Sequence, residues 1–155
     1  MSAASLATLE DLDRLMPMVT AFHASEGIEM DEATRRDAVT PLLDGSPHGA
    51  IYLIGPKRAP VGYLAISFGW SIEFGGMDGF VDEFWVREAV RGRGMGATVL
   101  NAVMRSLAAH GLRALHLEAG QHNKRAQSLY RRLGFEPRDG YALMTCRVDR
   151  LGPER

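Results

Sequence analysis

From Leu9 to His23 the apolar residues Leu12, Leu15, Met16, Val19 and Phe22 return at helical spacing, which buries one face of an α-helix. Pro17 falls inside that run. It removes a backbone hydrogen bond and crowds the preceding turn, so a bend or a division into two shorter helices is expected there. Gly27 ends the segment. Asp31 is placed to cap a second helix reaching toward Leu43, with Thr34 and Arg35 on its outer side and Gly45 beyond its end. The period then changes. Ala50 to Ile54, Val61 to Trp70 and Gly79 to Val86 are rich in branched and aromatic residues, and Pro56 to Pro60 and Gly75 to Gly79 supply turns, so three consecutive antiparallel strands are expected. Helical spacing resumes from Gly94 to His110, where Val99, Leu100, Val103 and Leu107 share a stripe and Gly111 forms the stop. A short strand at Ala114 to Glu118, a helix at Lys124 to Leu133 closed by Gly134, and a last strand at Ala142 to Val148 complete the reading.

This order describes an α/β (α+β) fold, a mixed sheet covered by helices. No repeat or linker divides it, so residues 1–155 read as one domain. A chain of this length can bury roughly two-thirds of its unfolded surface, and 46% apolar with 24% charged residues is an ordinary globular balance. A net charge of −1 does not supply the basic field that nucleic-acid binding needs. The apolar stretches are too short to span a bilayer and the N-terminus lacks a secretory pattern, so no membrane association and a cytoplasmic location are expected. The single Cys146 fits a reducing compartment and, lying in an apolar run with no base beside it, reads as a buried structural thiol. The histidines show no metal spacing.

The chemistry concentrates in Val86-Arg87-Glu88-Ala89-Val90-Arg91-Gly92-Arg93-Gly94-Met95-Gly96, which runs from a strand end into a helix start. The first N–H groups of a helix have no partner inside it and attract anions, so this stretch reads as a phosphate cradle. Gly92, Gly94 and Gly96 let a ligand approach the backbone, and Arg91 and Arg93 can add charge-assisted hydrogen bonds. The Lys-Ser/Thr ending of a nucleoside-triphosphate loop is missing, and the glycine spacing does not fit the dinucleotide fingerprint.

Arg91-Gly92-Arg93-Gly94-Met95-Gly96 resembles the Gln/Arg-x-x-Gly-x-Gly/Ala signature of the GCN5-related N-acetyltransferase superfamily. The preceding Asp82-Glu83-Phe84-Trp85-Val86 resembles its signature strand. Leu115-His116-Leu117-Glu118, Asn123, Ala126, Leu129, Tyr130 and Leu133-Gly134-Phe135 resemble its second half. The likeness covers about Val61 to Val148.

The resemblance implies a GNAT-like, mostly antiparallel central sheet and an enzyme that binds acetyl-CoA, needs no metal and passes the acetyl group directly to an amine. It further implies that Trp85 and Val86 lie beside the cofactor, Val86 offering its N–H to the acetyl carbonyl. Arg91, Gly92, Arg93, Gly94, Met95 and Gly96 would hold the pyrophosphate, Asn123 would contact the pantetheine arm or a linked water, and Tyr130 would protonate the departing thiolate. The base would be Glu83 or Asp82, or a water relay to one of them. Strand alternation puts Val81, Glu83 and Trp85 on one face and Asp82, Phe84 and Val86 on the other, so only one carboxylate can face the cleft, and the longer Glu83 has the better reach. Phe22, His23, Glu26, Glu29 and Glu73 become acceptor-side candidates if the first helix-loop and the strand near Trp70 line the mouth, as in relatives. An acidic mouth would favour a cationic small amine or a lysine side chain. Relatives often dimerise, which makes a homodimer a further expectation. The competing readings are an acyl-CoA sensor without catalysis and an acyltransferase using another acyl group.

Overall fold

The computed structural model describes residues 3–154. Five strands form one sheet in sequential order: β1 (Ala4–Leu6), β2 (Gly49–Ile54), β3 (Gly62–Ser71), β4 (Gly76–Val86) and β5 (Ala114–His116). The first four pair antiparallel, and β4 pairs β5 in parallel. The helices are α1 (Leu12–Ser25), α2 (Glu32–Leu43), α3 (Met95–Ala109) and α4 (Lys124–Arg132).

The sheet separates two cores. On one side the α1 stripe of Leu15, Met16 and Val19 packs with Val39 and Leu43 of α2 against Leu53, Tyr63 and Ala65. On the other, Val99, Leu100 and Val103 of α3 cover Ile54, Leu64, Ile66 and Val81. Leu15, Leu53, Leu64 and Leu100 are fully out of water. Burial of this kind contributes roughly 2 kcal/mol per side chain before the entropic cost of ordering is counted.

Several local expectations change. α1 runs unbroken through Pro17, whose ring lies on the solvent side. Asp31 caps α2 by accepting from the Thr34 N–H at 2.7 Å. Arg35, however, is buried rather than outward, because it continues the i, i+4 stripe of Val39 and Leu43. The segment expected to form a last strand, Ala142 to Val148, pairs with no strand, and Cys146 within it is exposed rather than buried. Among the described residues no helix is long and apolar enough to cross a membrane.

Candidate functional site

A cleft opens where β4 and β5 part. The two strands pair only over Asp78–Phe80 and Ala114–His116. β4 continues to Val86, while the other chain leaves the sheet after His116 and re-enters regular structure at Lys124. Between them lies a cavity of about 520 Å³ whose lining includes Phe22, Glu26, Asp82, Glu83, Asn123 and Tyr130. Strand β4 thus supplies one wall, the β5–α4 connection the other, and the end of α1 the rim.

The β4 wall carries an irregularity that period-2 reasoning cannot anticipate. Ala65 pairs Glu83 while the next residue, Ile66, pairs Val81, so Asp82 is an extra residue with no partner. A bulge of this kind flips the side-chain faces beyond it. Val81 therefore packs with Val99 and Leu100, whereas Trp85 packs on the α1–α2 side and Glu83 reaches residues there. The expected common face of Val81, Glu83 and Trp85 does not exist. Glu83 and the exposed Asp82 both line the cavity, because the bulge interrupts the alternation that would have put neighbouring carboxylates on opposite faces.

Glu83 is clamped. Its Oε1 accepts from the Tyr63 hydroxyl at 2.8 Å, and its Oε2 lies 2.6 Å from His23 Nε2. Arg35 Nε donates to His23 Nδ1 at 3.1 Å, and an arginine can only donate. The ring proton accordingly resides on Nε2 and points at Glu83. Burial, followed by the charge and hydrogen bond of Glu83, holds the Tyr63 hydroxyl well above the ordinary tyrosine value, so it remains a donor.

Beyond the bulge, the register decides where the backbone of β4 points. Arg87 N–H donates to Val61 O at 2.7 Å, which makes that pair a hydrogen-bonded one. Antiparallel alternation then leaves the amides of Val86 and Phe84 facing away from β3, toward the open gap. Arg91 Nε occupies the Val86 carbonyl at 2.7 Å and folds the following turn back against the strand end. Gly92 and Gly94 have φ of 82° and 75°, conformations that side chains resist, and Gly94 is the cap residue from which α3 begins. A Cβ at Gly96 would sit 3.0 Å from the Phe84 ring, so glycine lets α3 start close to the strand without displacing that ring.

Across the gap, Asn123 caps α4, its Oδ1 accepting the Ala126 N–H at 3.1 Å. Tyr130, two turns further along α4, packs its ring against Phe135 at 5.9 Å between centroids. Burial raises its hydroxyl above the usual tyrosine value. Of the acceptor-side candidates, Phe22 and Glu26 line the cavity and His23 backs it through Glu83. Glu73 does not join them. It sits in the β3–β4 turn and is held by Arg138 at 2.9 and 3.0 Å.

Comparison with known proteins is decisive at this point. The sequence model of the Acetyltransferase (GNAT) family matches residues 12–135. The chain belongs to this family. An uncharacterised N-acetyltransferase of Methanocaldococcus jannaschii is 31% identical over 93 residues, which are 57% of this chain and 41% of that relative; the chain thus spans under half the length of the curated relative it matches. Among solved structures, an integron cassette protein from the mobile metagenome of Cole Harbour Salt Marsh superposes with a TM-score of 0.81 at 31% identity, covering 97% of this chain and 92% of that one. A probable acetyltransferase superposes with a TM-score of 0.82 at 19% identity, covering 96% and 98%, and shares the fold.

GNAT proteins use acyl-CoA, typically acetyl-CoA. The residues here suit such a group. The glycine turn presents the first amides of a helix, which have no partner inside it, and that first turn carries no acidic residue. Sequence reading missed three GNAT site neighbours. Tyr63 was hidden as one aromatic among many in a strand. Arg35, expected on the outer side of α2, is buried, and its spacing from Val39 marks it as inward. Arg125 reaches across from α4, its Nη2 lying 3.4 Å from where a Gly92 Cβ would be; nothing in its local sequence links it to that turn.

Proposed function

We propose that this protein is an acetyl-CoA-dependent N-acetyltransferase that passes the acetyl group to a primary amine of a cationic acceptor, by direct attack in a ternary complex. The observation that carries this reading is the charge of the cavity. Glu26, Asp82, Glu83 and Glu118 line it, and among the described residues no lysine, arginine or histidine does. A cationic acceptor, such as a small polyamine or a lysine side chain, meets complementary charge there. The pyrophosphate has its own, oppositely charged site at the glycine turn, with Arg93 and Arg125 beside it.

Acetyl-CoA supplies the activated acyl carbon, and the chain's residues handle position and protons. The outward amides of β4 next to the bulge are available to a carbonyl oxygen and to the pantetheine arm, as is Asn123 across the gap. An alkylamine has a pKa near 10.4, so roughly one molecule in a thousand is neutral at physiological pH. As the nitrogen bonds to the acyl carbon its N–H becomes acidic, and Glu83, held at the wall by two donors, takes that proton directly or through a water. The Tyr130 hydroxyl, kept protonated by burial, gives its proton to the departing thiolate. The rate should therefore rise with pH as neutral amine accumulates, then fall only above the ordinary tyrosine range.

The test is turnover of acetyl-CoA against a panel of amines, with Glu83→Gln and Tyr130→Phe beside the wild type. Turnover of polyamines or lysyl peptides, reduced about 100-fold or more in Glu83→Gln with acetyl-CoA affinity retained, supports the assignment. Tight acetyl-CoA binding without turnover of any amine would instead leave an acyl-CoA sensor.

A further inference from the structure

We propose that Arg35, which does not line the cavity, is a positioning residue for Glu83. It selects the tautomer of His23, and the Nε2–H so fixed holds the carboxylate at the cleft. The proposal rests on Glu83 being the base.

His23 has one partner on each ring nitrogen, Arg35 Nε on Nδ1 and Glu83 on Nε2, and both His23 and Arg35 are buried. Moving the ring proton to Nδ1 would set two donors face to face at Arg35 and two acceptors face to face at Glu83. Both hydrogen bonds would be lost together. The guanidinium cannot turn away from this duty, because its other nitrogens are committed. Nη2 donates to the Met30 carbonyl at 2.9 Å, and Nη1 to Glu32 at 3.0 Å and Thr20 Oγ1 at 3.4 Å. The planar fork of arginine reaches all of these at once, which the single ammonium of lysine cannot.

The contact with Met30 adds a second consequence. The loop between α1 and α2 carries Ile28, which lines the cavity, and the Ile28 N–H is tied to the His23 carbonyl at 2.9 Å. Arg35 therefore fastens the back of the acceptor loop and the back of the base with one side chain. Glu83 is gripped from α1 through His23 and from β3 through Tyr63, which leaves its remaining lone pairs for the cavity. Loss of Arg35 should disturb proton transfer and acceptor binding while sparing the glycine turn.

Two measurements decide it. Nitrogen NMR of the histidine rings at alkaline pH, where neutral tautomers are distinguished, should show His23 in the wild type with its proton on Nε2 only, and a shift toward Nδ1 in Arg35→Met. Steady-state kinetics of Arg35→Met should show kcat lowered about ten-fold or more and the acceptor KM raised, with acetyl-CoA affinity unchanged. His23→Gln, which keeps one acceptor and one donor, should recover part of the rate that His23→Leu loses. A wild-type His23 with its proton on Nδ1, or full activity in Arg35→Met alongside a slow Glu83→Gln, overturns the role of Arg35 alone. Full activity in Glu83→Gln overturns the base assignment itself.

Discussion

The two walls of the cleft are built to different standards. Strand β4 pairs β3 from one end to the other, buries side chains in both cores and is cross-tied to α1 and α2 through Glu83, His23 and Arg35. The facing wall has three paired residues in β5, an irregular stretch from 117 to 123, and a helix α4 with no buried residue. The groups proposed here for proton handling and acceptor recognition are thus held by the protein's own contacts. The facing wall, from which Asn123 is proposed to meet the pantetheine arm and Arg125 the pyrophosphate, has little pairing of its own and stands to gain order from a bound ligand.

The largest effect should come from placing one methyl group on each wall. At Gly62, where β3 faces the end of β4, a Cβ would fall on the Trp85 carbonyl oxygen and 3.0 Å from Val86 Cα, and neither backbone atom can move without breaking the sheet. Gly62→Ala should destabilise by about 3 kcal/mol or more. At Gly120 on the facing wall the nearest atom to a Cβ is Asn123 Cβ at 3.7 Å, an ordinary contact, so Gly120→Ala should stay within about 0.5 kcal/mol. Equal losses in chemical denaturation would dissolve the contrast.

Next in size is Asp11, which anchors the start of α1 and so the helix that delivers His23. It is fully buried, accepts from the Thr8 N–H at 2.9 Å and Arg14 at 2.8 Å, and has Lys57 at 3.7 Å. Burial pushes its carboxyl up, but the Thr8 N–H, Arg14 and Lys57 together outweigh burial and leave it below its ordinary value. A group with a lowered folded pKa contributes stability above its unfolded value of about 3.9, and that contribution disappears as pH falls through the folded value. Asp11→Asn should cost about 2 kcal/mol at pH 7 and flatten the acid limb of stability below pH 4. An unchanged acid limb would remove Asp11 from the account.

A smaller effect is expected from Arg125, an α4 side chain lying against the glycine turn. Arg125→Ala should weaken acetyl-CoA binding about five-fold, near 1 kcal/mol, with the difference shrinking at high salt. Stability of the free protein should not change, since the side chain is exposed. If affinity is unaltered, Arg125 is a bystander and the facing wall contributes less than proposed.

The same contrast governs what could be read from sequence. The meander, α1 and α3 were legible because their apolar residues keep a strict period, and the glycine turn because its constraint is local. The faces of β4 were not, since a single unpaired residue at Asp82 reverses the alternation and no sequence pattern marks it. Strand β1, three residues of Ala-Ser-Leu, carries too little pattern to register. The links from Arg35 to His23 and from Arg125 to Gly92 join residues distant along the chain, and only packing brings them together.

The segment after α4 gives the smallest expected effect and the sharpest use of the contrast. Ala142 to Val148 has the composition of a strand, yet Leu143 and Met144 stand 67% and 90% exposed, and the described hydrogen bonds there are local. A strand completing the sheet beside β5 would make its removal cost several kcal/mol, because both its ladder and its buried side chains would go. An exposed segment has neither to lose. Truncating the chain after Tyr141 should therefore shift the denaturation midpoint by the equivalent of about 0.5 kcal/mol or less. A large loss would mean that this segment supports the β5–α4 wall after all, and that the two walls are more alike than their pairing indicates.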